Sequence, residues 1–107
     1  MKNQSLLVTV STTLLLLFPS TSLADARKGQ KIFKKNFRKS CGFSGVKFSR
    51  NHTQEEWEKI FKEGHLQEET KRICPRIKIE DIKESWWKDI YEFSYEYASD
   101  SLKIPSC

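Results

Sequence analysis

Cys41, Cys74 and Cys107, with His52 and His65, are the side chains of this 107-residue sequence best suited to covalent or coordination chemistry. A finger-type zinc site needs ligand pairs about two to five residues apart, and no two of these five have that spacing. A cysteine nucleophile worked by a histidine is recognised by a flanking signature and by donors for the oxyanion. Neither accompanies the cysteines here. The chain is therefore read as having no catalytic centre and no metal site. Disulfide chemistry remains, and whether it operates depends on the compartment.

The N-terminal residues bear on that. Met1 and Lys2 give a positive start, Leu14 to Phe18 form the centre of an apolar run, and Ser22 and Ala24 place small residues at the −3 and −1 positions of a cleavage site. This pattern predicts a secretory signal peptide over residues 1–24, cleaved near Ala24. The run is too short and too interrupted by Ser and Thr for a membrane span of about 20 apolar residues. No cysteine follows the cleavage point, so no lipid anchor is expected. The mature protein is then a single periplasmic or secreted domain, 25–107, with no stable membrane anchor. An oxidising compartment favours one disulfide, and three cysteines leave one over. A Cys41–Cys74 bridge would close a loop of about 30 residues, worth roughly 3 kcal/mol in the chain-entropy model. For so small a core that is a large share of net stability. Cys107 would then be a free or intermolecular thiol. The alternative bridge, Cys74–Cys107, leaves Cys41 free.

Charge is distributed unevenly. Residues 25–50 hold nine basic side chains against Asp25 alone, a formal +8, whereas residues 51–107 carry nine basic and thirteen acidic groups, −4. Such asymmetry speaks to partners and encounter rates rather than to fold. Export and the acidic second half argue against nucleic acid.

The elements that must position these groups are helical. Asp25 is a fitting N-cap, and Ala26, Gly29, Phe33 and Phe37 recur at spacings of three and four, with Ile32 widening the stripe. Lys28, Lys31, Lys34, Lys35, Arg38 and Lys39 cover the rest of that helix. Residues 40–52 read as an irregular segment pinned by Phe43 and Phe48. Thr53 and Glu56 fit a capping box ahead of a helix with Trp57, Ile60 and Phe61 on one side, ending at Gly64. A short helix over 66–74 is stopped by Pro75. A linker leads to the last helix, predicted over 81–98, whose face of Ile82, Trp86, Ile90, Phe93 and Tyr97, flanked by Trp87, Tyr91, Tyr95 and Ala98, is wide enough to require burial over a broad arc. Four helices, two of them short, make the chain all-α.

Gly29 and Phe33 four apart, the Cys41 loop, the Thr53-Gln54-Glu55-Glu56-Trp57 helix start and the aromatic last helix together resemble a class I cytochrome c. The CGFSG, HTQEEW and YEYASDS segments look similar, more narrowly, to small exported cytochrome-c-like proteins of sulfur- and hydrogen-oxidising bacteria. The resemblance implies a small bundle in which the first and last helices cross, the glycine admitting an aromatic ring. Trp87 and Tyr91 are the rings expected there. It also implies electron transfer, with Lys28, Lys31, Lys34, Lys35, Arg38 and Lys39 docking an acidic periplasmic redox protein.

The family holds haem through Cys-x-x-Cys-His and commonly a distal methionine. Here one cysteine stands in that region, Gly42 occupies the place of the histidine, and the only methionine is Met1, in the leader. His/Met ligation of the mature chain is excluded. What the resemblance leaves is haem held in a non-standard way, by His52 and His65 as axial nitrogens with Cys41 at one edge. Set against it is a haem-less, disulfide-stapled relative that binds its partner through the basic helix, and the residues favour that second reading.

Overall fold

Asp25 opens the first helix by accepting the backbone N–H of Lys28 on its carboxylate, 2.7 Å away. From there the computed structural model describes residues 25–103. The leader at 1–24 and Cys107 lie outside the described residues. Helix α1 (Ala26–Asn36) is followed by α2 (Arg38–Cys41), α3 (Gly45–Ser49), α4 (Gln54–Lys62), α5 (Leu66–Ile73) and α6 (Trp87–Glu96), with 3-10 turns at Ile79–Asp81 and Glu84–Trp86 before α6. Among the described residues there is no strand, and the class is all-α.

The predicted stripe of α1 is buried: Gly29, Ile32 and Phe33 face inward, and Phe37 continues them beyond the helix end. Phe33 is the hub. Its ring lies 5.4 Å from Phe37, 5.2 Å from Phe48 and 6.1 Å from Phe93. Phe48 stacks on Trp57 at 5.5 Å, which ties α3 to α4. Each such ring contributes about 1.5–3 kcal/mol by burial, and each well-placed pair adds about 0.5–1.5 kcal/mol. The indole N–H of Trp57 donates to the Ser49 carbonyl at 2.8 Å, so the ring is buried with its polar handle satisfied.

Helices α1 and α6 cross in close contact, and Gly29 is the reason they can. A Cβ at that position would meet the backbone carbonyl of Asp89 and lie 2.7 Å from Cβ of Phe93. The rings expected there, Trp87 and Tyr91, are elsewhere. Trp87 meets Phe37 edge-on at 5.8 Å, and Tyr91 stacks on Phe61 of α4 at 4.3 Å. The register of α6 thus turns Asp89 and Phe93 to α1 and Tyr91 to α4, a choice made by packing on three helices at once.

Three boundaries differ from the sequence expectation of four helices. The first helix stops at Asn36, with Phe37 at its cap, so Arg38 and Lys39 stand on the separate turn α2. Residues 40–52 are not irregular throughout: Ser44 caps α3 by accepting the Lys47 N–H at 3.3 Å, and Phe48 is buried from its single turn. The last helix starts at Trp87, not at residue 81, because Ile82 and Lys83 are extended (ψ 126° and 138°). Ile77 and Ile82 both reach the core from the segment before that helix. The capping box is formed in both directions, with Thr53 N–H to Glu56 Oε1 at 3.0 Å and Glu56 N–H to Thr53 Oγ1 at 3.2 Å. Gly64 ends the helix with φ +76°, a left-handed conformation that glycine adopts without strain.

Candidate functional site

Cys41 and Cys74 are joined, their Cα atoms 4.6 Å apart, across a sequence separation of 33. Cys41 ends α2 against Gly42, whose φ of +80° turns the chain there, and Cys74 follows α5 just before Pro75. The bridge pins the loop after α5 to the end of the basic segment. It also removes Cys41 from any ligand role.

His52 and His65 are not brought to a common site with it. The His52 ring sits edge-on to Trp57 at 4.9 Å, its Nδ1 lying 3.1 Å from Glu56 Oε1 and its Nε2 2.6 Å from Glu69 Oε2. A neutral imidazole can donate to only one of these carboxylates, and the imidazolium to both. Glu56 is held below the usual carboxylate range, first by the Thr53 N–H and then by His52. Glu69 is held below it by the hydrogen bonds of Arg72 foremost, with burial opposing and His52 assisting. His65 is exposed, and its nearest ionic neighbour is Glu63 at 3.9 Å. The residues proposed for haem therefore do not fit it: the sulfur is committed to Cys74, both nitrogens of one histidine are held by carboxylates, and the other histidine faces solvent. Among the described residues no cluster of three or more His, Cys, Asp or Glu is arranged to hold a metal ion.

The basic residues are brought together. Lys28, Lys31, Lys34, Lys35, Arg38 and Lys39 are all exposed, along the outside of α1 and α2, while the opposite side of α1 is buried. Lys28 approaches Asp89 at 3.6 Å. Among the described residues, no carboxylate pairs with Lys31, Lys34, Lys35, Arg38 or Lys39. Lys34 and Lys35 lie in the last turn of α1, where the helix dipole favours cations by about 0.3–1 kcal/mol each. Against that, like charges at i,i+4, such as Arg27–Lys31 and Lys31–Lys35, cost about 0.2–0.5 kcal/mol per pair. A row of like charges without internal counterions is poised to take carboxylates from outside.

Three more cations join this face. Arg27 belongs to α1 and is exposed, so its place was readable from the same period. Arg76 and Lys78 were not readable. The disulfide draws their segment under α1 and α2, where a cleft of about 130 Å³ is lined by Asn36, Ser40, Arg76, Ile77, Lys78, Asp81 and Ile82, so one carboxylate shares it with the two cations. The Arg76 guanidinium lies 3.8 Å from where a Cβ on Gly42 would stand. Other acidic side chains lie on α4, with Glu55, Glu56 and Glu58, and on α5, with Glu68 and Glu69. Among the described residues no helix is long and apolar enough to cross a membrane. Comparison with protein-family models, with curated proteins and with solved structures finds no match for this chain.

Proposed function

We propose that this chain is an exported, cytochrome-c-like but haem-less module that binds an acidic protein of a periplasmic electron-transfer system. The observation that carries the reading is the exposed row from Lys31 to Lys39, five cations that no carboxylate among the described residues neutralises. Charges placed this way raise encounter rates with an acidic surface and fix its orientation more than they add affinity. The buried side of α1 is occupied by the core, so the helix offers its partner charge rather than an apolar stripe. The disulfide supports the same reading twice, by stapling a small domain and by holding Arg76 and Lys78 beside the row.

Two measurements test it. Reversal of two charges, Lys34→Glu with Lys35→Glu, weakens association with the acidic redox protein at least tenfold at low ionic strength, while reversal of Lys62 and Lys103 leaves it unchanged. Equal effects from both pairs would sink the docking assignment. Protein purified from a host with haem-maturation machinery shows only the ultraviolet absorption of its aromatic side chains. A Soret band that survives denaturation would overturn the haem-less reading.

A further inference from the structure

Asp89 is the only charged side chain among the buried residues described, with 4% of its side chain exposed. It sits on α6 where the helix meets Gly29 of α1. A carboxylate so buried is stable only when paired with a charge and fully hydrogen-bonded. What it has here is less. Oδ1 accepts from the backbone nitrogen of Asp25 at 3.1 Å, and Oδ2 lies 3.6 Å from Lys28 Nζ, beyond hydrogen-bond range, on a lysine that is 59% exposed.

We propose that hydrolysis of the Ala24–Asp25 peptide bond completes this site, the freed α-ammonium of Asp25 becoming the charge partner of the buried Asp89 carboxylate. The cleavage is taken from the export reading above; the pairing rests on the position of the Asp25 nitrogen. In the reaction water adds across the C–N bond. The carbonyl carbon of Ala24 departs as a carboxylate and the nitrogen of Asp25, keeping its hydrogen, gains two protons to become the ammonium. A membrane peptidase of the exporting cell supplies the catalysis, and no electrons change hands.

The nitrogen need not move. It already lies within hydrogen-bond distance of Oδ1, and as an ammonium it adds a full positive charge to a bond whose acceptor is ionised, making it an ion pair. The Asp25 carboxylate remains engaged with the Lys28 N–H, so the cap survives the cleavage. The charged groups at this end are Asp25, Arg27 and Lys28 at the start of α1, Lys88, Asp89, Glu92 and Glu96 from α6, and Lys103, which pairs with Glu96 at 3.0 Å. Glu92 has its carboxyl pushed up by burial, against the pull of Lys88, with the charges of Glu96, Asp89 and Asp25 pushing further. Asp25 is exposed and borders an open cleft of about 380 Å³ with Arg27, Glu96 and Tyr97. Processing thus tightens the α1–α6 contact, and the precursor is the less stable form.

The test begins with the full-length chain expressed in an exporting bacterial host. Intact mass of the exported product identifies its first residue; Asp25 is expected, and any other first residue overturns the proposal. The α-amine of that product is then acetylated selectively. Acetylation, which leaves an N–H but removes the charge, lowers the melting temperature by about 4–8 °C in a domain of this size. In Asp89→Asn the same acetylation costs less than half as much. No loss, or equal loss in both proteins, overturns the pairing. Should Asp89→Asn fail to fold, an NMR titration of the wild-type α-amine decides: it keeps its proton above the ordinary range of about 7.7–8.0 if paired, and titrates within that range if not. If the chain is not exported, the export reading falls by itself, and the pairing is read from chain whose Asp25 amine has been freed by a site-specific protease.

Discussion

Replacing Gly29 by alanine sets two effects of opposite sign against each other. In an isolated helix the change stabilises by about 1 kcal/mol, because alanine is the better helix former. In this fold the new methyl would land on the backbone carbonyl of Asp89 and 2.7 Å from Cβ of Phe93. Neither atom can swing away by a rotamer change, so α1 and α6 must move apart. Overpacking of this kind costs about 1–3 kcal/mol and sometimes more. Here the upper end applies, because a gap of 0.5–1 Å forfeits about a quarter to a half of each contact along the interface. Contacts of Phe33 with Phe93 and of Phe37 with Trp87 both span that interface. The net loss is about 2 kcal/mol, a fall in melting temperature of about 8–16 °C for a domain of this size. Circular dichroism melts of Gly29→Ala beside Lys34→Ala, an exposed position on the same helix expected to stay within about 0.5 kcal/mol, provide the comparison. A higher melting temperature for Gly29→Ala would refute the close crossing.

Two further predictions concern the staple and the carboxylates. Cys41→Ser and Cys74→Ser each remove the closure of a loop separated by 33 residues, about 3–4 kcal/mol, and the double variant is no less stable than either single one, whereas Cys107→Ser changes the melting temperature little. Destabilisation by Cys107→Ser alone would contradict the pairing. Glu69, held low chiefly by Arg72, contributes stability present above the unperturbed carboxyl value of 4.5 and lost as pH falls through its depressed folded value. Glu92, raised by burial, does the reverse, costing stability above its folded value and ceasing to do so as pH falls toward 4.5. At pH 7 Glu69→Gln therefore melts below wild type and Glu92→Gln above it. In melts across a pH series the Glu92→Gln gap closes before pH 4.5 is reached, and the Glu69→Gln gap only below it; the opposite order would show the burial of these groups to be misassigned.

What the sequence disclosed, it disclosed through local period and local chemistry. The Gly29, Ile32, Phe33 and Phe37 stripe, the Asp25 cap, the Thr53–Glu56 box and the Gly64 stop are relations within one or two turns, and each is present in the structure. The Cys41–Cys74 bridge spans further but had few competitors. Relations set by the placement of α6 were hidden. Tyr91 could as well have met Gly29 as Phe61 by its sequence, and only simultaneous packing on α1 and α4 decides. The same holds for Asp89, whose partner nitrogen lies 64 residues away, and for the extended Ile82–Lys83 step that shortens α6.

His52 shows how a residue type can mislead when its neighbours are unknown. Read along the chain, it is a lone histidine before a helix and a candidate ligand. In the fold, Glu56 one turn ahead and Glu69 from α5 close on its two nitrogens, and Ser99 donates its N–H to the His52 carbonyl at 2.9 Å. The residue thus ties together three parts of the chain, two through its ring and one through its backbone, and freeing a nitrogen for a metal would leave a partly buried Glu69 with one partner fewer. Cys41 follows the same logic, since releasing its sulfur would undo the bridge that also carries Arg76 and Lys78 to the basic face. In both places the groups that could have held a cofactor hold the fold.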